Sequence, residues 1–130
     1  MILLDTHVVV WLTIEPEKLP RSIAKLISEE RADGKGIGIA DVTLLELAVL
    51  TVQRRIRPAI PLGLYLRKIE DMFMVFPITT AIAERYTQLS EAYPKDPADR
   101  LIGATASSLG VELVTRDAAI RRSGDVKCVG

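Results

Sequence analysis

The chain opens with Met1-Ile2-Leu3-Leu4-Asp5-Thr6, a short apolar run that stops at an acidic residue. Such a run predicts a buried strand. A similar pattern returns near the other end, where an apolar run at 111–115 is followed after one residue by Asp117. In open sheets of α/β proteins, ligands bind beyond the carboxyl ends of the strands, so the residues just after these runs are the first candidates for a functional site.

Between these two runs, short apolar segments alternate with longer segments of helical period. Further strands are predicted at 37–40, 75–78 and 126–129, and helices at 20–32, 41–53, 64–72, 80–93, 98–109 and 116–122, with a loop at 54–62. Strands that alternate with helices favour right-handed crossovers and a parallel sheet between layers of helices. No repeat or linker is evident, so we expect a single domain over residues 1–130.

The composition excludes several classes of protein. With 48% hydrophobic and 26% charged residues, the chain is typical of a folded domain and not of a disordered one. The 17 basic and 17 acidic residues cancel, so bulk charge alone would not hold nucleic acid. A single cysteine, Cys128, and a single histidine, His7, exclude an internal disulfide and the usual zinc motifs. Without a basic leader or a membrane-length apolar run, we expect a cytoplasmic protein with no membrane contact.

Four acidic residues are predicted to gather at the carboxyl edge of the sheet: Asp5, Glu46, Asp99 and Asp117. Glu46 is the only charged residue between positions 42 and 53. We expect so apolar a helix to be largely buried, and a buried carboxylate needs a compensating cation, either an arginine or a metal ion. Hard dications such as Mg²⁺ and Mn²⁺ favour carboxylate ligands.

Most of the acids also have a structural explanation. Asp5 and Asp117 are each suited to cap a helix, and Asp41 is predicted to be the N-cap of the helix at 41–53. Asp96 is predicted to be an N-cap with proline at the first helical position. Glu46 is the acid that helix capping explains least.

Four stretches, taken in order, carry a family resemblance that spans nearly the whole chain: Leu3-Leu4-Asp5-Thr6-His7-Val8-Val9-Val10-Trp11, Leu44-Leu45-Glu46-Leu47-Ala48, Asp96-Pro97-Ala98-Asp99-Arg100-Leu101-Ile102-Gly103-Ala104 and Leu113-Val114-Thr115-Arg116-Asp117. They resemble the PIN-domain family, and more closely its VapC-type toxin ribonucleases of toxin–antitoxin pairs. The resemblance implies a single PIN-like domain, a three-layer α/β/α sandwich with a central parallel sheet. It also implies one or two Mg²⁺ or Mn²⁺ ions and metal-dependent endoribonuclease activity.

The same resemblance implies metal-binding and catalytic roles for the four acids Asp5, Glu46, Asp99 and Asp117. It implies an RNA substrate, a cognate antitoxin protein that blocks the acidic site, and a homodimer. Candidate contacts to substrate are Thr6, Arg100, Thr115 and Arg116. The chain departs from its subgroup at Pro94 and Ala98, near which a histidine and an aromatic residue are often found, and these departures concern substrate choice.

Other interpretations stay open. The fold could be a catalytically inactive scaffold, or a receiver-like signalling or binding module, although no aspartate follows the strand predicted at 75–78. The glycines Gly34, Gly36 and Gly38 precede a strand, so a turn is favoured over a phosphate-binding loop. A packed or solvated role is favoured for His7. For the apolar segment 62–76, core packing is favoured and an interface is the alternative.

Overall fold

The computed structural model describes residues 1–130 and contains one five-stranded sheet. Its strands are β1 (Ile2–Leu4), β2 (Ile37–Ala40), β3 (Met74–Phe76), β4 (Glu112–Val114) and β5 (Cys128–Val129). The strand order is β3-β2-β1-β4-β5, and every neighbouring pair is parallel. The central strand, β1, is therefore flanked by one strand from the first half of the chain and one from near its end.

Helices cover both faces of the sheet. They are α1 (Thr6–Thr13), α2 (Arg21–Ala32), α3 (Asp41–Val52), α4 (Leu62–Met72), α5 (Thr80–Gln88), α6 (Pro97–Leu109) and α7 (Ala118–Ser123), with a 3-10 turn at Pro16–Lys18. One hydrophobic core joins Leu4 of β1 to α1–α4, and a second joins Leu3 to α5–α7. The predicted three-layer α/β/α sandwich with a central parallel sheet is thus confirmed. None of the helices combines the length and the apolar character needed to cross a membrane.

The first helix, α1, was not among the predicted elements. It contains three consecutive valines, Val8, Val9 and Val10, and β-branched residues lower helix propensity. All three are at most 4% exposed. Burial against the sheet therefore outweighs the local preference.

Two predicted helices differ in length or start. The helix predicted at 80–93 ends at Gln88, and Tyr93 is buried in the turn that follows. The helix predicted from residue 116 starts at Ala118, because Asp117 accepts the Ile120 N–H as its N-cap.

Helix capping follows the prediction for Asp96 and departs from the prediction for Asp41. The Oδ2 of Asp96 accepts the N–H of Asp99 at 3.1 Å, which confirms the predicted cap of α6. Gly110 ends that helix in the left-handed conformation, with φ 68°. The prediction for Asp41 was wrong: Ala40 holds the N-cap position, and the Asp41 carboxylate accepts the N–H of Ile78 at 3.1 Å.

The expectation that α3 is largely buried was also wrong. Only Thr43 and Leu47 of this helix are buried. Leu45, Val49 and Val52 are 63%, 43% and 75% exposed. Helix α3 therefore has two apolar faces: one packs against the core, and the other is exposed to solvent.

The apolar segment that contains α4 and β3 divides in a similar way. Tyr65, Ile69 and Phe73 are buried, as core packing predicts. Leu64 and Met72 are about half exposed, at 48% and 45%. The segment therefore supplies core residues and also leaves apolar side chains at the surface.

Candidate active site

The four predicted acids stand on four different elements whose ends meet at one edge of the sheet. Asp5 directly follows β1, and its N–H donates to the carbonyl of Val114 in β4 at 3.0 Å. Asp117 follows β4, Glu46 lies in α3 beyond the end of β2, and Asp99 lies in the first turn of α6. The charges of Asp5, Glu46 and Asp117 all act on Asp99, so the fold brings the four acids into one electrostatic cluster.

Asp5 is the most enclosed acid of the cluster, with 6% of the residue exposed. Its Oδ2 accepts a 2.7 Å hydrogen bond from the Thr115 hydroxyl, so the side chain faces across the sheet and does not cap α1. Burial raises the pKa of Asp5, while the bond from Thr115 and the nearby His7 oppose that rise. Asp5 is thus a desolvated carboxyl held in one orientation.

Glu46 is held from the opposite side by threonines. The Thr6 hydroxyl donates a short hydrogen bond to Oε1 of Glu46, and it also lies 3.0 Å from the hydroxyl of Thr43. Partial burial raises the pKa of Glu46, and the charges of Asp5 and Asp96 raise it further. No arginine or lysine forms an ion pair with this carboxylate, so the arginine that the sequence offered as a compensating charge is not there.

The pKa of Asp99 is strongly raised. Burial, followed by the charges of Asp5, Asp96, Glu46 and Asp117, raises the pKa of Asp99 to about 7. Its backbone is anchored by Tyr93, whose hydroxyl donates to the Asp99 carbonyl at 2.9 Å. Gly103, one turn further along α6, leaves the space that the Tyr93 ring fills.

Asp117 differs from the other three because it is exposed and its carboxylate caps a helix. Its Oδ1 accepts the N–H of Ile120 at 3.0 Å, and its own N–H donates to the Thr115 hydroxyl at 3.1 Å. The structural explanation for Asp117, a helix cap, therefore holds. Its charge still reaches Asp5 and Asp99.

The chemistry of the donors fits a hard divalent cation. All candidate ligands are carboxylate oxygens, which Mg²⁺ and Mn²⁺ favour, and burial raises the pKa of three of them, Asp5, Glu46 and Asp99. As the side chains stand, no three acidic, histidine or cysteine groups form a closed metal-binding set. A cluster of repelling carboxylates keeps its members apart, and a Mg²⁺ ion usually takes only one or two protein carboxylates and retains several waters.

The structure places the predicted substrate contacts in different surroundings. The residues Thr6 and Thr115 are buried, and their hydroxyls donate hydrogen bonds to the carboxylates of Glu46 and Asp5, which favours a role in orienting these acids. Arg100 donates to the carbonyls of Leu89 at 3.0 Å and of Tyr93 at 3.2 Å. These bonds favour a structural role for Arg100.

Of the four predicted substrate contacts, only Arg116 has a side chain without a partner at the carboxyl edge of the sheet. It is exposed and lies between Thr115 and Asp117, and it forms no ion pair. It therefore remains available to a charged ligand.

Three further residues lie at the site, although the sequence analysis predicted no functional role for them. His7 lowers the pKa of both Asp5 and Glu46 through its charge, which places it beside the acids. Asp96 is a helix cap, yet its charge also raises the pKa of Asp99. Thr43, 0% exposed, completes the hydroxyl pair that holds Glu46. The position of His7 directly after the Asp-Thr pair was the available sequence signal.

Comparison with known proteins gives relatives along the whole chain. Residues 2–125 match the PIN domain family. The chain is 38% identical over 120 residues to Ribonuclease VapC22 of Mycobacterium tuberculosis (strain ATCC 25618 / H37Rv). The aligned region covers 92% of this chain and 89% of that protein.

Solved structures agree on the fold. The structure of VapBC2 from Rickettsia felis, bound to a DNA fragment from its promoter, superposes with a TM-score of 0.76 at 17% identity and covers 99% of this chain and 98% of that one. A toxin–antitoxin complex from Klebsiella pneumoniae superposes with a TM-score of 0.70 at 21% identity, over 100% of this chain and 97% of that one. At these identities the likeness concerns the fold alone.

Proposed function

Because this chain belongs to the PIN-domain family, we propose that it is a divalent-metal-dependent endoribonuclease and the toxin of a toxin–antitoxin pair. The observation that carries this proposal is the cluster of Asp5, Glu46, Asp99 and Asp117, in which burial and repulsion hold the pKa of Asp99 at about 7. Such a cluster is stabilised when a cation binds. The similarity to a protein named as a ribonuclease supports RNA as the substrate.

In this proposal, Asp5 and Asp99 hold the first Mg²⁺ or Mn²⁺ ion. Glu46 and Asp117 support that ion, a second ion, or the attacking water. When bound, the ion supplies a Lewis acid that favours deprotonation of water and stabilises charge on phosphate oxygens. Thr115 keeps Asp5 in position through its 2.7 Å bond, so the ligand geometry is set before substrate arrives.

The expected reaction is hydrolysis of an RNA phosphodiester. The oxygen of water bonds to phosphorus, the bond from phosphorus to the 3′ oxygen breaks, and the products end in a 5′-phosphate and a 3′-hydroxyl. Glu46 is suited to take the proton of the attacking water, because its pKa is raised and Thr6 occupies only one of its two oxygens. The whole chain acts as a single domain in this proposal.

Cleavage of single-stranded RNA tests the proposal directly. Wild-type protein should cleave in Mg²⁺ or Mn²⁺ and lose activity in a chelator. Asp5→Asn and Asp99→Asn should abolish cleavage, while Asp71→Asn, at an exposed acid on α4, should not. Retained cleavage by Asp5→Asn that is insensitive to the chelator would show that the acids are not the active site.

The inactive-scaffold alternative has its own test. Calorimetric titration with Mn²⁺ should show binding to wild-type protein and weaker binding to Asp99→Asn. If neither binds the ion, the site is not a metal centre and the scaffold interpretation replaces the enzyme. The receiver-like alternative is disfavoured by topology, because β3 lies at the sheet edge here, whereas a receiver-like order of 2-1-3-4-5 places the third strand beside the first.

We propose two protein partners for this chain, both in the cytoplasm where RNA is translated. An antitoxin segment is expected to cover an apolar recess of about 450 Å³ between α1, the loop after α3, and α4. Its apolar lining includes Leu12, Ile14, Ile60 and Met72. Arg57 and Lys68 also line the recess and could pair with acidic residues of a partner. If a short reading frame lies next to the gene, co-expression of its product with this chain should yield a complex that is inactive on RNA. A second copy of the chain is expected on the exposed face of α3.

A further inference from the structure

A second recess, of about 170 Å³, lies between α1 and α3. Its walls combine two aromatic side chains, three apolar ones, two cations and one acid that pairs with a cation: His7, Trp11, Val10, Leu50, Ile56, Lys18, Arg55 and Glu15. The mixture differs from the largely apolar recess proposed for the antitoxin. Its small volume suits one planar group better than a segment of folded chain.

The recess begins at the acidic edge. His7 directly follows Thr6, whose hydroxyl holds Glu46, and the charge of His7 acts on both Asp5 and Glu46. On the other wall, Leu50 stands four residues after Glu46 on α3, which is about one helical turn. A ligand that spans one turn of helix would therefore touch the acids and the recess together.

The aromatic wall is arranged to receive a flat ligand. His7 and Trp11 are four residues apart on α1 and so share one face of that helix. Their ring centroids lie 6.4 Å apart and the planes are tilted by 51°, so neither ring covers the other. His7 is exposed and Trp11 is partly exposed. Aromatic faces that are open in this way are stacking surfaces for nucleobases.

The cationic wall depends on an unusual turn. After α3, Arg54 adopts a left-handed backbone with φ 59°, and the N–H of Arg55 returns to the carbonyl of Leu50 at 2.9 Å. Arg55 forms no ion pair and no side-chain hydrogen bond, so its guanidinium has no internal partner. Lys18 pairs with Glu15 but remains 60% exposed. A chain with no net charge has here a local cationic group beside its acidic site.

We propose that this recess binds one base of the single-stranded RNA substrate next to the scissile phosphate. The base stacks on the face of Trp11 with its edge towards His7, and the adjoining phosphate contacts Arg55 and Lys18. This inference rests on the proposed function. It assigns the contacts with substrate to His7, Trp11 and Arg55, in place of Arg100 and the threonines.

Trp11 is the only tryptophan in the chain, so its fluorescence reports on this recess alone. A short single-stranded oligoribonucleotide, added in a chelator so that it is not cleaved, should quench the emission. An oligonucleotide of the same length without bases should not. His7→Ala and Arg55→Gln should each weaken binding by about fivefold or more, in line with the loss of one stacking or phosphate contact. Arg67→Gln, at an exposed position on α4, is the matched control.

These experiments distinguish failure of the recess proposal from failure of the nuclease proposal. If RNA quenches Trp11 but wild-type protein never cleaves, the recess stands and the nuclease proposal falls. If wild-type protein cleaves and both His7→Ala and Arg55→Gln keep its KM, the recess proposal is wrong while the nuclease stands. Equal quenching by the base-free oligonucleotide, or a response only to the antitoxin protein, would also overturn it.

Discussion

The hydroxyl of Thr115 donates a 2.7 Å hydrogen bond to the carboxylate of Asp5, across 110 positions of sequence. Both residues are buried, at 0% and 6% exposure, so the bond is shielded from water. It links the ends of β1 and β4 and fixes which way Asp5 points. A carboxylate that is expected to hold a metal ion is thereby oriented by a neighbouring strand.

Replacing Thr115 by valine should therefore weaken metal binding without unfolding the protein. Residues that orient a ligand typically change metal affinity by about 10- to 100-fold when they are lost. Calorimetric titration with Mn²⁺ would measure the change, and Thr115→Ser, which keeps the hydroxyl, should bind nearly as the wild type does. Equal affinity of the valine and serine variants would mean that the bond does not prepare Asp5 for the ion.

Stability of the metal-free protein should fall as pH rises. Asp99 has a pKa of about 7 in the folded chain against an ordinary value of 3.8, so the folded state binds this proton more tightly than the unfolded state does. The resulting stabilisation is present at low pH and is lost as pH rises through about 7. Thermal unfolding in a chelator at about pH 5 and about pH 8 should show the lower midpoint at the higher pH.

Asp99→Asn is the control for that pH dependence. The variant carries no titrating group at this position, so its midpoint should change less between the two pH values. Added Mn²⁺ should restore the wild-type midpoint at the higher pH, because the ion binds the ionised carboxylates. A wild-type midpoint that is the same at both pH values would contradict the assignment.

Gly103→Ala should destabilise the fold. A methyl group at this position would overlap the phenol of Tyr93, which is 1% exposed and bonds to the Asp99 carbonyl. Overpacking of this kind costs about 1–3 kcal/mol in the free energy of unfolding. Urea denaturation would measure the loss. Gly63→Ala, in α4 with open space around the added methyl group, should instead leave stability unchanged or raise it by about 0.5–1 kcal/mol.

The open face of α3 should mediate self-association. Leu45, Val49 and Val52 recur at helical spacing and are all exposed, so a second copy of the same face would remove them from water. Sedimentation velocity should show a dimer for wild-type protein and a monomer for Val52→Asp. Leu109→Asp, at a partly exposed apolar position on α6, should stay dimeric. A monomeric wild type at all concentrations would remove this proposal.

Much of the fold and the choice of acids could be predicted because they depend on local patterns. Short apolar runs bounded by acids or glycines marked the strands, and the carboxyl ends of parallel strands must share an edge. The roles of Thr6 and Arg100 could not be predicted. Each depends on partners that the fold alone brings near: Thr6 meets Glu46 forty positions away, and Arg100 meets the carbonyl of Leu89 in a turn expected to be helix.

The position of β4 beside β1 has a consequence for how such a protein is made. A chain still on the ribosome and ending before β4 has an open edge on its central strand, and its Asp5 lacks Thr115. Asp117, which also follows β4, joins the other acids only when that strand has emerged. During synthesis, the acidic cluster is therefore incomplete until β4 has emerged and paired with β1.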